Sequence, residues 1–190
     1  METKNIMIVG VGGQGTLLAS KLLGRILLEN GYDVKVSEVH GMSQRGGSVV
    51  TYVRYGEKVY SPIIDKGEAD FVLSFELLEA ARWADYLKEG GVLLTNTQKI
   101  NPMPVITGAA DYPQSLEEKL ASLPIRLDAM DALGLALKAG SAKAVNLVLL
   151  GRLSRYFHFT DTQWQDAIEK SVPAKFLELN KKAFALGAEA

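Results

Sequence analysis

Cysteine is absent from this sequence of 190 residues. Its absence excludes disulfides, cysteine-ligated iron–sulfur clusters, zinc-thiolate sites and thiol nucleophiles from the chain. Neither sign of charge is in excess, because 21 lysine and arginine residues stand against 22 aspartate and glutamate residues, for a formal net charge of -1. The broad electropositive field on which nonspecific nucleic-acid binding depends is therefore missing, and we expect no nucleic-acid partner.

Long hydrophobic runs are also missing. No segment approaches the roughly 20 consecutive apolar residues of a membrane span, and the opening stretch METKNIMIVGVGG lacks the longer apolar region of a secretory signal. We therefore expect a cytoplasmic protein without a membrane partner. With 47 % hydrophobic residues, the chain can bury one substantial core, so we expect a single domain spanning residues 1–190.

Alternating strand and helix patterns predict an α/β fold. Continuous or alternating apolar stretches predict strands at Asn5–Gly10, Asp33–Val39, Ala69–Glu76, Gly91–Asn96 and from Ile125. Helical spacing of apolar residues predicts helices over Thr16–Asn30 and Glu76–Lys88, from Gln114, and throughout the chain from Asp131, with breaks at Gly140 and Pro173. We predict an open, mostly parallel Rossmann-like sheet with a helical C-terminal part.

One stretch interrupts this alternation. Residues Ser48 to Pro62 predict a strand, a turn at Gly56 and a shorter returning strand that ends at the proline. The sequence therefore predicts a β-hairpin insertion in the sheet.

A glycine-rich turn joins the first predicted strand to the first predicted helix. Gly10, Gly12 and Gly15 have the spacing G-x-G-x-x-G, which lets backbone approach a phosphate at the N-terminus of the helix. Glu38 lies at the predicted end of the second strand, where a dinucleotide-binding protein has the carboxylate that accepts a ribose hydroxyl. These residues favour a nucleotide site, although glycines can equally serve close strand–helix packing.

A polar loop follows Glu38. It contains Ser43, Gln44 and Arg45 before two consecutive glycines. Arginine can bind a phosphate or a carboxylate through a bidentate pair, including a carboxylate of its own chain. Because loops after neighbouring parallel strands meet at one edge of a sheet, we expect this loop and the glycine-rich turn to converge on one crevice.

Four ordered stretches together resemble a known family. They are GVGGQGTLLASKLL, SEVHGMSQRGGSVVTYVR, SPIIDKGEADFVLSFELLEAAR and GGVLLTNT. In these stretches the chain is similar to the gamma domain of the pyruvate and 2-oxoacid ferredoxin oxidoreductases. The resemblance covers Ile6 to Asn96, with a weaker match over Lys143 to Gly151, and little of it is visible between residues 98 and 137.

The resemblance implies a subunit that is inactive alone. Enzymes of this family oxidatively decarboxylate a 2-oxoacid with thiamine diphosphate, pass electrons through iron–sulfur clusters to ferredoxin, and release an acyl-coenzyme A. In the indolepyruvate type, the large subunit holds the thiamine diphosphate and the clusters, and the small subunit holds neither. The resemblance therefore implies a large partner subunit, an arylpyruvate substrate and a shared contact with coenzyme A. Without that partner, its apolar docking surface is expected to form a homodimer.

The same resemblance implies which residues contact ligand or partner, and none of them is catalytic or binds metal. They are Gly12, Gly13, Gln14, Gly15, Glu38, Ser43, Gln44 and Arg45. Asn96 joins them because it ends a predicted strand at the crevice. Glu79 and Arg82, three residues apart on one predicted helix, are interpreted as an exposed ion pair. Two other functions stay open: an autonomous NAD(P)-dependent oxidoreductase and a ligand-free interaction module.

Overall fold

A computed structural model of the chain describes residues 2–40 and 47–190, and within these ranges it contains one six-stranded sheet. The strands are β1 (Lys4–Val11), β2 (Asp33–His40), β3 (Ser48–Gly56), β4 (Ala69–Ser74), β5 (Leu87–Asn96) and β6 (Arg126–Met130). The α-helices are α1 (Thr16–Glu29), α2 (Leu77–Trp83), α3 (Met103–Ile106), α4 (Leu116–Ala121), α5 (Ala132–Ala139), α6 (Val145–Ser154), α7 (Asp161–Ser171) and α8 (Leu177–Glu189). Short 3-10 helices lie at Ala84–Tyr86, Ala142–Ala144 and Ala174–Phe176.

The spatial order of the strands is β2-β3-β1-β4-β5-β6. Strands β1, β4, β5 and β6 pair in parallel, whereas β3 is antiparallel to both of its neighbours. The predicted mostly parallel α/β sheet is confirmed. However, β1 and β2 do not pair with each other across α1, because β3 is inserted between them.

The predicted hairpin within residues 48–62 does not form. Strand β3 ends at Gly56 as predicted, but residues 57–68 form no returning strand. Each strand has two hydrogen-bonding edges, and those of β3 are occupied by β1 and β2. The segment is held as a loop instead, since the Arg54 guanidinium donates to the carbonyls of Ser61 at 3.2 Å and Ile63 at 2.7 Å.

Helices cover both faces of the sheet. Along β1, Ile6 and Ile8 pack under α1 and the C-terminal helices, whereas Met7 and Val9 pack under α2 and α4. Burial of both faces explains why β1 is a continuous apolar run. The apolar helix α6 is buried within the first of these cores.

Helix α1 is bounded by two left-handed glycines. Gly15 precedes its first residue with φ at 87°, and Gly31 follows its C-terminal end with φ at 84°. Between them, the Asn30 side chain donates to the carbonyl of Ile26 at 2.7 Å and so occupies one of the free carbonyls of the last turn. The predicted helix is confirmed within one residue at its C-terminus. Within residues 2–40 and 47–190, no helix has the length and apolarity needed to cross a membrane.

Candidate functional site

The glycine-rich turn leaves β1 and enters α1 at the carboxyl edge of the sheet. The amide of Gly12 donates to the carbonyl of Gly47 at 2.9 Å, and the amide of Gln14 donates back to the carbonyl of Val11 at 3.2 Å. Gly13 has φ at 99°, and no atom lies within 4 Å of the position that a β-carbon would take there. The turn is therefore closed by backbone bonds on its inner side and open on its outer side.

Gln14 fixes the turn to the neighbouring strand. Its Oε1 accepts from the amide of Val11 at 2.7 Å, and its Nε2 donates to the carbonyl of Phe75, just after β4, at 3.1 Å. A β-carbon at Gly10 would lie 2.9 Å from that Oε1 and 3.0 Å from Cβ of Phe75. Gly10 thus leaves the space that the Gln14 side chain occupies, which is a packing role within the motif.

Gly15 serves the helix and the C-terminal part at once. Gly15 is the N-cap residue of α1, and no side chain caps this end of the helix. The first amides of a helix have no intrahelical acceptors. Together with the positive end of the helix dipole, such amides favour an anion. Asn146 donates from Nδ2 to the carbonyl of Gly15 at 3.3 Å, and a β-carbon at Gly15 would lie 2.8 Å from that nitrogen.

A cavity of about 470 Å³ opens beside this turn. Three predicted contact glycines and Glu38 line it together. Its lining consists of Gly12, Gly13, Gly15, Thr16, Leu17, Glu38 and Val49. The structure thus brings Glu38 to the same cavity as the glycine-rich turn, although β3 lies between β1 and β2. Thr16 and Leu17 were not singled out by the sequence, although both begin the helix directly after the motif.

Three predicted contact residues, Ser43, Gln44 and Arg45, lie outside the described residues. Their contact role stays a prediction. The residues that follow them, Gly47 and Ser48, are described and lie beside the turn, because Gly47 accepts the hydrogen bond from Gly12.

Asn96 lies below this edge with its side chain fully buried. Its Nδ2 donates to the carbonyl of Phe75 at 3.2 Å and to Oε1 of Gln98 at 3.2 Å, while its Oδ1 accepts from the amide of Ala132 at 3.2 Å. These bonds join the ends of β4 and β5 to the start of α5. A contact of Asn96 with ligand or partner stays a prediction.

Two buried carboxylates flank the same edge, and the sequence did not reveal them. Glu76 and Glu79 are 1 % and 5 % exposed. Glu76 caps α2, since one oxygen accepts from the amide of Glu79 at 2.8 Å, and its other oxygen accepts from the amide of Ile100 at 3.0 Å and the hydroxyl of Tyr112 at 2.6 Å. The available signal was a carboxylate three residues ahead of another at a predicted helix start, which is typical of N-terminal capping.

The interpretation of Glu79 and Arg82 as an exposed pair is wrong in one half. Nε of Arg82 lies 3.3 Å from Oε1 of Glu79, but only the arginine is exposed. The other oxygen of Glu79 accepts from the hydroxyl of Ser48 and from Nε1 of Trp83 at 3.4 Å. Burial raises the pKa of Glu79 above its ordinary value, and the bonds from Ser48 and Trp83 with the charge of Arg82 offset that rise only in part.

No group of three or more histidine, cysteine, aspartate or glutamate side chains that could hold a metal ion occurs among residues 2–40 and 47–190. The polar groups at this edge are instead glycine amides, amide side chains and carboxylates. Such a set can bind an anion at the turn and a hydroxyl at Glu38, but it offers no electron carrier.

Comparison with known proteins extends these observations. A family model described as pyruvate ferredoxin/flavodoxin oxidoreductase matches residues 5–190, so it includes the segment 98–137, in which little of the resemblance was visible. The indolepyruvate oxidoreductase subunit IorB of Thermococcus kodakarensis is 46% identical, and the match covers 100% of this chain and 96% of that protein.

Two solved structures share the fold. The pyruvate oxidoreductase subunit PORC from Thermotoga maritima superposes with a TM-score of 0.76 at 23% identity, covering 100% of this chain and 97% of that one. A 2-oxoglutarate:ferredoxin oxidoreductase from Magnetococcus marinus, solved with 2-oxoglutarate, coenzyme A and succinyl-CoA bound, gives a TM-score of 0.78 at 18% identity. That match covers 100% of this chain and 31% of the other, so the same fold occurs there within a longer polypeptide.

Proposed function

The chain belongs to the pyruvate ferredoxin/flavodoxin oxidoreductase family, and we propose that it is the small subunit of a heteromeric enzyme acting on indolepyruvate or a related arylpyruvate. The observation that carries this proposal is the 46% identity to an indolepyruvate oxidoreductase subunit over the whole chain. In the proposed reaction, the oxoacid loses carbon dioxide, its acyl group forms a thioester with coenzyme A, and two electrons pass to ferredoxin.

The large partner subunit supplies thiamine diphosphate and iron–sulfur clusters in this proposal. Thiamine diphosphate supplies the electron sink for decarboxylation, and the clusters carry the electrons. This chain has no cysteine with which to bind a cluster. Its own contribution is to pack against the partner and to shape one side of the coenzyme A site.

The cavity at the glycine-rich turn is the proposed coenzyme A contact. Its residues fit the nucleotide end of that molecule, because the uncapped start of α1 and the open side of Gly13 suit a diphosphate. Glu38, which lines the same cavity, suits a ribose hydroxyl. Arg45, which lies outside the described residues, is proposed to bind a phosphate from the loop.

The test is an anaerobic affinity purification of the tagged chain from its native extract. We expect a large iron–sulfur protein to be recovered with it, and the complex to reduce a viologen dye when indolepyruvate and coenzyme A are both present. The purified chain alone is expected to show no decarboxylation. Activity of the chain without a partner, or recovery of the chain without an iron–sulfur protein, would contradict the proposal.

Coenzyme A binding is tested separately by calorimetric titration of the same complex. We expect a signal that Arg45→Ala weakens, with Arg155→Ala as a control in an exposed arginine after α6. Equal affinities in the two variants would exclude the proposed phosphate contact. No signal in the unmodified complex would favour the ligand-free interaction module.

A nicotinamide-dependent oxidoreductase is the second candidate, because Glu38 shares the cavity with Gly12 and Gly15. Calorimetry of the chain alone with NAD(H) and NADP(H) distinguishes the two. Millimolar ligand without a heat signal would exclude the second candidate.

The isolated chain is proposed to form a homodimer. Four large apolar side chains on α1 and the edge strand β2 are substantially exposed, at 45% to 60%. They are Leu17, Leu28, Val36 and Val39. A partner subunit or a second copy would cover such a surface. Light scattering at micromolar concentration is expected to give the mass of a dimer, and the mass of a monomer would contradict this.

A further inference from the structure

The junction between the polar loop and β3 is held at two adjacent residues. At Gly47, the carbonyl accepts the hydrogen bond from the amide of Gly12 at 2.9 Å. At Ser48, the hydroxyl donates to the buried carboxylate of Glu79 on α2. Since consecutive residues share one peptide unit, the position of the Ser48 side chain limits where the Gly47 carbonyl can point.

Glu79 is itself held from several directions. Nε of Arg82 lies 3.3 Å from one carboxylate oxygen, and Nε1 of Trp83 donates to the other at 3.4 Å. The second oxygen is the one that accepts from Ser48. Ionised carboxylates are costly to bury unless paired and hydrogen-bonded, and here these bonds aim one oxygen at the loop junction.

Helix α2 is in turn fixed at its start by Glu76. This carboxylate accepts from the amide of Glu79 at 2.8 Å and from the Tyr112 hydroxyl at 2.6 Å. Glu76 therefore ties α2 to the segment that follows β5, and this limits movement of Glu79 along the sheet edge. Two hydrogen bonds, through Ser48 and then through Gly47, connect this rigid support to the glycine-rich turn.

We propose that Glu79 is a positioning residue for the cavity at the glycine-rich turn, acting through Ser48 and the Gly47 carbonyl on the amide of Gly12. This inference rests on the proposed function, because it assigns the cavity to coenzyme A. Glu79 does not line the cavity. Its role is to hold the wall of a site that Gly12, Gly13 and Glu38 form.

The test compares variants in the complex of this chain with its large partner subunit. Glu79→Met removes the acceptor for Ser48 and keeps the volume and the helix propensity, whereas Glu79→Gln keeps an acceptor oxygen. Ser48→Ala removes the donor, and Ser48→Thr keeps a hydroxyl. Asp128→Leu is the matched control, because it removes another largely buried carboxylate that binds Arg152 at 2.9 Å.

We expect Glu79→Met and Ser48→Ala to raise the KM for coenzyme A about tenfold while kcat changes less than twofold, as for the loss of one charge-assisted hydrogen bond that acts on ground-state binding. The double variant is expected to be no worse than either single variant, since both remove the same bond. Glu79→Gln and Ser48→Thr are expected to retain most of the affinity for coenzyme A. Asp128→Leu is expected to leave the KM unchanged even if it lowers stability.

Hydrogen exchange gives a readout that does not depend on coenzyme A. The amide of Gly12 is expected to exchange faster in Glu79→Met than in the unmodified complex, with no change in Asp128→Leu. Unchanged exchange at Gly12, or an unchanged KM for coenzyme A in a folded Glu79→Met complex, would overturn the positioning role. Dye reduction by the unmodified complex at the same rate without coenzyme A would instead overturn the proposed function, and with it the assignment of the cavity.

Discussion

Gly151→Ala tests the close approach of α6 and α8. A β-carbon at Gly151 would lie 2.0 Å from the carbonyl oxygen of Phe184, and one at Gly187 would lie 1.9 Å from the carbonyl oxygen of Val148. Each helix thus presents a glycine to the backbone of the other. Real β-carbons are essentially never closer than 3.0 Å to such an atom, so the helices must separate by about 1 Å to admit the methyl group.

Two terms of opposite sign determine the magnitude. Alanine is favoured over glycine inside a helix by about 1 kcal/mol. Overpacking a dense core costs about 1–3 kcal/mol, and the upper end applies because the obstacle is backbone, which no rotamer change can move. We therefore expect Gly151→Ala to lower the free energy of unfolding by about 2 kcal/mol and Tm by about 4–8 °C for a chain of this size.

Gly24→Ala in α1 is the matched control. The nearest heavy atom to its added β-carbon is Cγ2 of Val36 at 3.9 Å, an ordinary contact, so only the propensity term remains. We expect this variant to be more stable by up to about 1 kcal/mol. Urea denaturation of the purified chains, followed by circular dichroism, measures both values. Equal effects of the two substitutions would refute the reasoning, because only one of the two sites lacks space.

Three further variants test other parts of the fold by denaturation. Asp70→Asn is expected to lower the free energy of unfolding by about 1–2 kcal/mol at pH 7. Burial raises the pKa of Asp70, but the hydrogen bonds from Lys88, the Asn5 amide and Lys4 lower it further, so the pKa in the folded chain lies below 3.8. The stability that the ionised Asp70 contributes is therefore lost as the pH falls below 3.8, where the variant is expected to become as stable as the unmodified chain. Glu79→Gln is expected to gain stability relative to the unmodified chain between pH 4 and pH 7, because the raised pKa makes ionisation of Glu79 unfavourable in the fold; a constant difference would contradict this. Thr160→Ala is expected to cost about 1 kcal/mol, because it removes the side chain that accepts from the third residue of α7; Thr160→Ser, which keeps the cap, is the control, and equal losses would contradict the capping role.

The parts of the fold that local pattern specifies were predictable. Strand β1 is continuously apolar because it is buried on both faces. Helix α1 lies between two glycines whose left-handed backbone conformation favours glycine over other residues. The prediction that Ser48–Pro62 turns back on itself as a hairpin was wrong, because residues 57–68 form no returning strand. Which strand pairs with β3 depends on β1 and β2, and alternation within one segment carries no information about its partners.

In the candidate site, too, the features set by local sequence were predictable and those set by distant contacts were not. The glycine spacing and Glu38 are local signals, and the structure brings them to one cavity. The burial of Glu79 depends on residues distant in the chain, since Ser48 is 31 residues away. Helical spacing alone predicts which helix face carries Glu79, but it does not predict that Ser48, at the start of β3, will donate to its carboxylate. A carboxylate interpreted as exposed is therefore part of the support of the site.

The weaker match over Lys143 to Gly151 has a physical reason in the contacts of two of its residues. Asn146 belongs to that stretch and donates to the carbonyl of Gly15, 131 residues earlier. Gly151 ends the same stretch and admits α8 against α6. A larger residue at Gly15 would meet both an unfavourable φ and the Asn146 amide. The glycine-rich turn is therefore shaped by the C-terminal helices as well as by its own sequence, so the first half of the chain does not by itself specify the cavity.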